Sequence, residues 1–144
     1  MKVFFVLLLL CCSLELHALI DFLSVSGNPP PLNIGTAVAG FQPTAAIDSS
    51  TTYSLTTIGI GEKITGQLNT GMPAGVSLKI TLQAPPGGIS QGSVSLTNSP
   101  QTLVSGLPLI SLLISGLTIT YQLSTTVNAG PVASRSVTVI LTVS

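Results

Sequence analysis

Cys11, Cys12 and His17 are the residues of this chain best suited to chemistry. A thiolate is a nucleophile and a metal ligand, and an imidazole takes up and returns a proton near neutral pH. All three lie within "MKVFFVLLLLCCSLELHA", residues 1–18. That stretch has a basic start at Lys2, an apolar run from Val3 to about Ser13, and a small residue, Ala18, before the expected cut. It reads as a secretory signal peptide, too short for an ordinary transmembrane helix. The expected mature chain starts near Leu19, and it loses both cysteines and the only histidine with the leader. A lipoprotein reading is weaker, because the residues before Cys11 are not the small ones that usually precede a lipidated cysteine.

What remains excludes most site chemistries. Ser-His-Asp and Cys-His mechanisms need the groups that leave with the leader, and so do zinc and copper sites built on imidazole or thiolate. The charged side chains left are Asp21, Asp48 and Glu62 against Lys63, Lys79 and Arg135. A two-carboxylate hydrolase would have to draw on those three acids. Asp48 sits in "IDSS", which reads as a turn with a side-chain cap, and Glu62-Lys63 reads as a hairpin bend. No Asp-x-Asp cluster offers a calcium loop, and "GIG" at Gly59–Gly61 is too short for a phosphate cradle. An isopeptide crosslink from Lys63 or Lys79 lacks a matching motif. Tyr53 and Tyr121 fall within apolar alternation and read as packing residues, and the Thr rows Thr118/Thr120 and Thr138/Thr142 as a solvated sheet face. No catalytic residue, cofactor site or metal site is expected, and the chain reads as no enzyme. The balanced charge offers no basic stripe for nucleic acid and no polybasic patch for lipid.

The elements that carry these residues are strands. Val76, Leu78, Ile80 and Leu82 alternate with Ser77, Lys79 and Thr81; Leu117 to Val127 and Val137 to Val143 repeat the pattern. Shorter candidates are Leu32–Val38, Tyr53–Ile58, Lys63–Leu68, Ser93–Thr97 and Gln101–Val104. Gly, Pro and Asn clusters such as "NTGMPAG", "APPGG" and "NAGPVAS" supply the turns. The segment "LPLISLLIS", Leu107–Ser115, reads either as a buried strand or as a loop packed over the sheet ends. The expected fold is all-β: an Ig-like antiparallel β-sandwich of about seven to nine short strands. Residues 19–31 form an N-terminal extended segment with a Pro-rich spacer, and 32–144 the β domain. The closing strand, "SRSVTVILTVS", puts its valine face in the core and needs a partner along its backbone edge.

"LIDFLSVSGNPPP", then "PLNIGTAVAG", then "STTYSLTT", and a final "SVTVILTVS" together resemble bacterial pilin-type subunits of the chaperone–usher kind. The cysteine pair and the aromatic near the C-terminus common in such subunits are missing here. The resemblance implies an exported structural subunit, fimbrial or cell-surface, that polymerises when a neighbour's N-terminal extension completes its sheet. It implies protein partners: further copies of the chain or a periplasmic chaperone. Leu19, Ile20, Phe22, Leu23 and Val25 would be the strand-exchange residues, with "NPPP" as a stiff spacer. The same segment also reads as the domain's own first strand. The alternative function is a monomeric secreted binding module, an adhesin or carbohydrate-recognition domain, using the loops "GIGEK", "NTGMPAG" and "NAGPVAS".

Overall fold

Period-two alternation is what a strand covered on one face requires, and the backbone follows it over most of its length. The computed structural model describes residues 21–35, 38–130 and 132–144. The leader, 1–18, and Leu19 and Ile20 of the exchange segment lie outside the described residues. Nine strands form among those described: β1 Phe22–Val25, β2 Ala46–Ile58, β3 Ile64–Leu68, β4 Val76–Leu82, β5 Ile89–Ser90, β6 Val94–Ser95, β7 Gln101–Ser105, β8 Ile110–Thr125 and β9 Val139–Val143. The only helical element among the described residues is a single 3-10 turn, Val127–Ala129.

The strands make two antiparallel sheets. One runs β1-β2-β8-β4-β6, the other β5-β7-β3-β9. Inward residues of the first, among them Tyr53, Leu55, Ile80 and Ile119, form one buried cluster with Ile64, Leu68, Leu103 and Val104 of the second. That shared core is consistent with a β-sandwich. Gly66, on the inner face of β3, shows how tightly it is filled. A Cβ there would lie 2.7 Å from Leu103 Cδ1, so the leucine takes the space a side chain would need.

The alternation over Val76–Leu82 is β4 as expected, and Val139, Leu141 and Val143 turn inward in β9 while Thr138, Ile140 and Thr142 face out. β9 pairs with β3 of the same chain, Ile64 opposite Val143 and Leu68 opposite Val139. Other elements differ from expectation. Leu32–Ile34, the start of the expected strand Leu32–Val38, joins no sheet; Thr36 and Ala37 lie outside the described residues. "LPLISLLIS" is mostly the first half of β8, which at sixteen residues is far longer than the short strands expected. "GIGEK" is not a hairpin bend, because β2 and β3 belong to different sheets and the loop crosses between them.

Asp48 does accept hydrogen bonds, from Ser50 N at 3.2 Å and Ser50 Oγ at 3.0 Å, but inside β2 rather than in a turn. The contact falls where the β2–β8 register shifts between Asp48 and Thr51. Further shifts follow at Tyr53/Leu55 and Leu55/Thr57, where β8 carries an extra residue. Leu113 lies in that bulge at φ 44, a left-handed conformation that costs a leucine about 1–2 kcal/mol.

Just beyond the bulge, Thr57 and Ser111 stand directly opposite one another, both buried. Neither hydroxyl has a hydrogen-bond partner among the described residues. A buried hydroxyl without a partner is destabilising, whereas an isosteric methyl is not. Thr57→Val is therefore expected to raise unfolding stability by about 1 kcal/mol in urea titrations. An equal loss would show that the hydroxyl is satisfied in solution.

Candidate functional site

β1 is the strand on which the exchange reading turns. It is the outermost strand of its sheet and pairs only with β2, from Phe22 opposite Thr56 to Val25 opposite Tyr53. The ladder is fastened at both ends by side chains. Asp21 Oδ1 accepts from Ile58 N at 3.3 Å. At the far end Ser26 N donates to Thr52 O at 2.8 Å, and Ser26 Oγ accepts from Thr52 N at 3.0 Å. Of the candidate residues described, Phe22, Leu23 and Val25, Leu23 alone packs against the core; Phe22 is 61% exposed and Val25 41%. Full burial of a leucine is worth about 1.5–3 kcal/mol, so half-buried Leu23 holds β1 by less. The segment lies in cis on β2 of its own chain and does not pair with β9, although β1 and β9 approach one another at the adjoining edges of the two sheets.

A carboxylate pair sits where β1 begins. The Glu62 side chain folds over Gly59, so closely that a side chain at Gly59 would collide with it. Its Oε2 is buried with no partner, while the residue as a whole is half-exposed. Desolvation raises the Glu62 pKa above the ordinary value of 4.5, and the Asp21 charge and a hydrogen bond with the same Asp21 side chain push it further up.

At the opposite end of the sheets lies an apolar groove of about 780 Å³. Its floor comes from the inner face of β4 and β8, at Val76, Leu78, Tyr121 and Leu123. Its sides come from two irregular segments, Pro29–Gly35 and Val132–Val137. Two of the three loops nominated from the sequence reach it: Met72 and Pro73 of "NTGMPAG", and Gly130 to Ser134 of "NAGPVAS" among the described residues. "GIGEK" lies at the other end of β3. Sequence reading found the loops but not the groove, because its floor is a continuation of ordinary core alternation. Only the absence of an opposing strand distinguishes Leu123 from Ile119.

The remaining singled-out residues have structural surroundings. Tyr53 is buried and its hydroxyl donates to Gln83 O; burial pushes its pKa up to about 12. Tyr121 is buried at the groove floor, and burial first, then the Asp48 carboxylate, raises its pKa. The outer face of the five-stranded sheet is hydroxyl-rich and cross-bonded, Ser49 with Thr120 at 2.9 Å and Ser77 with Ser124 at 2.8 Å. Among the described residues no group of three His, Cys, Asp or Glu is placed to hold a metal ion, and no helix is long and apolar enough to cross a membrane.

Comparison with protein-family models, with curated proteins and with solved structures finds no match to this chain.

The Glu62 environment fixes a pH dependence. A carboxyl whose folded pKa is raised contributes stability that is fully present below its unfolded value, near 4.5, and lost as pH rises through the folded value. Glu62→Gln keeps the neutral shape and removes the titration. Urea midpoints from pH 4 to 7 should fall less steeply for E62Q than for the wild type, with the variant at least as stable at pH 7. Parallel profiles would mean that Glu62 is freely solvated.

Proposed function

We propose that this chain is an exported, non-catalytic structural subunit that assembles by exchanging β1 between copies. The observation that carries this reading is how little holds β1 in place: one neighbouring strand, four ladder positions and one core side chain, Leu23. The buried core lies outside it, since among the described residues the buried side chains all come from Thr51 onward; what β1 covers is the open edge of β2.

Exchange also needs a connection that lets the strand leave. After Ser26 the chain runs through Gly27 at φ 154 and then Asn28-Pro29-Pro30-Pro31, with no strand among the described residues until Ala46. Proline stiffens such a segment, and it joins the body at Leu32, which packs against the core. A strand with a single pairing edge that vacates β2 leaves an open ladder, and the same segment of a second copy has the register to fill it. The Asp21 and Glu62 side chains adjoin at the root of β1, where like charge on the two is unfavourable.

Such a subunit would take further copies of itself as partners, with a chaperone strand covering β2 before assembly. The low charge of the chain agrees with a surface hidden in an assembly.

The test is the oligomeric state of residues 19–144 with and without 19–31, by light scattering across a concentration series. The longer form is expected to form concentration-dependent oligomers. The truncated body should aggregate or lose stability, and a synthetic peptide of residues 19–31 should restore it. Two stable monomers, indifferent to the peptide, would exclude exchange.

A further inference from the structure

The groove at the far end of the sheets has its floor on β4 and β8, away from β1, although its Pro29–Gly35 wall follows β1 in the chain. Its volume, about 780 Å³, lies in the range of small-molecule sites, roughly 300–1,000 Å³. The walls are aliphatic: Val76, Leu78 and Leu123 on the floor, Leu32 and Val137 at the sides. Leu32 and Val137 also pack against the core, which ties both side segments to the body.

Charge in the groove has one sign. Arg135 is the only ionisable acid or base in the lining besides the Tyr121 phenol, and no carboxylate lines it among the described residues. Burial raises the Tyr121 pKa, so the phenol is neutral and leaves the guanidinium unopposed. An apolar chamber with a single cation in its lining selects an apolar body with one anionic group.

The backbone decides between a hydrocarbon and a peptide. The floor strands are already laddered to one another, Val76 to Thr125 and Leu78 to Leu123, and β8 continues into β2 on its other side. No free strand edge faces the groove from the floor. A peptide lying on that floor would bury its own N–H and C=O groups against Val76, Leu78 and Leu123 without partners there, at a cost of about 1–3 kcal/mol for each. An alkyl chain carries no such groups. We infer that this groove binds a long-chain aliphatic carboxylate, with its hydrocarbon on Val76, Leu78 and Leu123 and its carboxylate at Arg135.

The experiment is a fluorescence titration of the purified protein with a conjugated polyene fatty acid, followed by displacement with palmitate, hexadecanol or an apolar peptide carrying a free C-terminus. The expected result is saturable one-site binding, with palmitate displacing the probe more effectively than hexadecanol. Arg135→Gln, at an exposed position, should weaken palmitate about three- to fivefold, as a solvent-accessible ion pair does, and leave hexadecanol unchanged. Val137→Trp, in a side segment rather than a strand, should fill the groove and abolish binding while the circular dichroism spectrum stays that of the wild type. The inference is overturned by any of three results: no saturable binding, palmitate binding indifferent to both substitutions, or displacement by the peptide at concentrations where palmitate fails. Since none of these readouts depends on oligomer size, their failure leaves the exchange reading of β1 standing.

Discussion

The inner face of the β2–β8 pair must be kept from water, and the opposing sheet is too short to do it alone. β8 has sixteen residues and β2 thirteen, while the strands facing them have at most five. At about 3.3 Å per residue, β8 runs for roughly 50 Å and β3 for about 17 Å. The middle of the long pair meets β3 and β7 and makes the buried cluster of Ile64, Ile80, Leu103 and Ile119. One end overhangs: there, irregular segments fold in from the sides and leave the groove. At the other, Thr57 and Ser111 stay buried, and Leu112 and Leu113, 68% and 78% exposed, lie in the bulge between Ile114 and Ser111. Leu113 also carries the left-handed backbone of the bulge. The unequal length of the two layers thus accounts for the groove, and the bulge in β8 for the exposed leucines.

The same inequality explains why β1 is peripheral. It joins the long sheet at its outer edge, beside β2, where β9 of the short sheet passes nearby without pairing to it. A strand so placed gains a ladder on one side and little burial. Its side-chain fastenings, Asp21 to Ile58 N and Ser26 to Thr52 N, compensate for the missing second neighbour. One of them stands beside Glu62, so the attachment of the strand and the ionisation of the loop are coupled.

Much of the fold was legible because alternation is a local signal. Val76–Leu82 and Val139–Val143 have inward and outward residues that follow directly from the pleat, and Tyr53 and Tyr121 take the core positions their alternation implies. Lengths were not legible. β8 passes through Gly116 and the strained Leu113, which local rules treat as breaks, because pairing with β2 on one side carries it across. Leu32–Ile34 shows the converse: a strand-like sequence next to prolines that finds no ladder and becomes a groove wall instead. The groove was invisible for a related reason. Leu78 and Leu123 look like any core pair until the opposing layer is seen to stop short of them. The Asp21–Glu62 contact joins residues far apart in sequence through the β1 register, which no local pattern encodes.

Strand exchange requires β1 to detach from β2 while the core stays folded, and native-state hydrogen exchange measures this directly. The amides of Leu23 to Ser26 should exchange through a local opening several kcal/mol below global unfolding, insensitive to low urea. Those of Ile80 and Tyr121, at the centre of the β4–β8 ladder, should exchange only with global unfolding. Protection of Leu23 to Ser26 equal to that of Ile80, with the same urea dependence, would make β1 an integral part of the core and contradict the account.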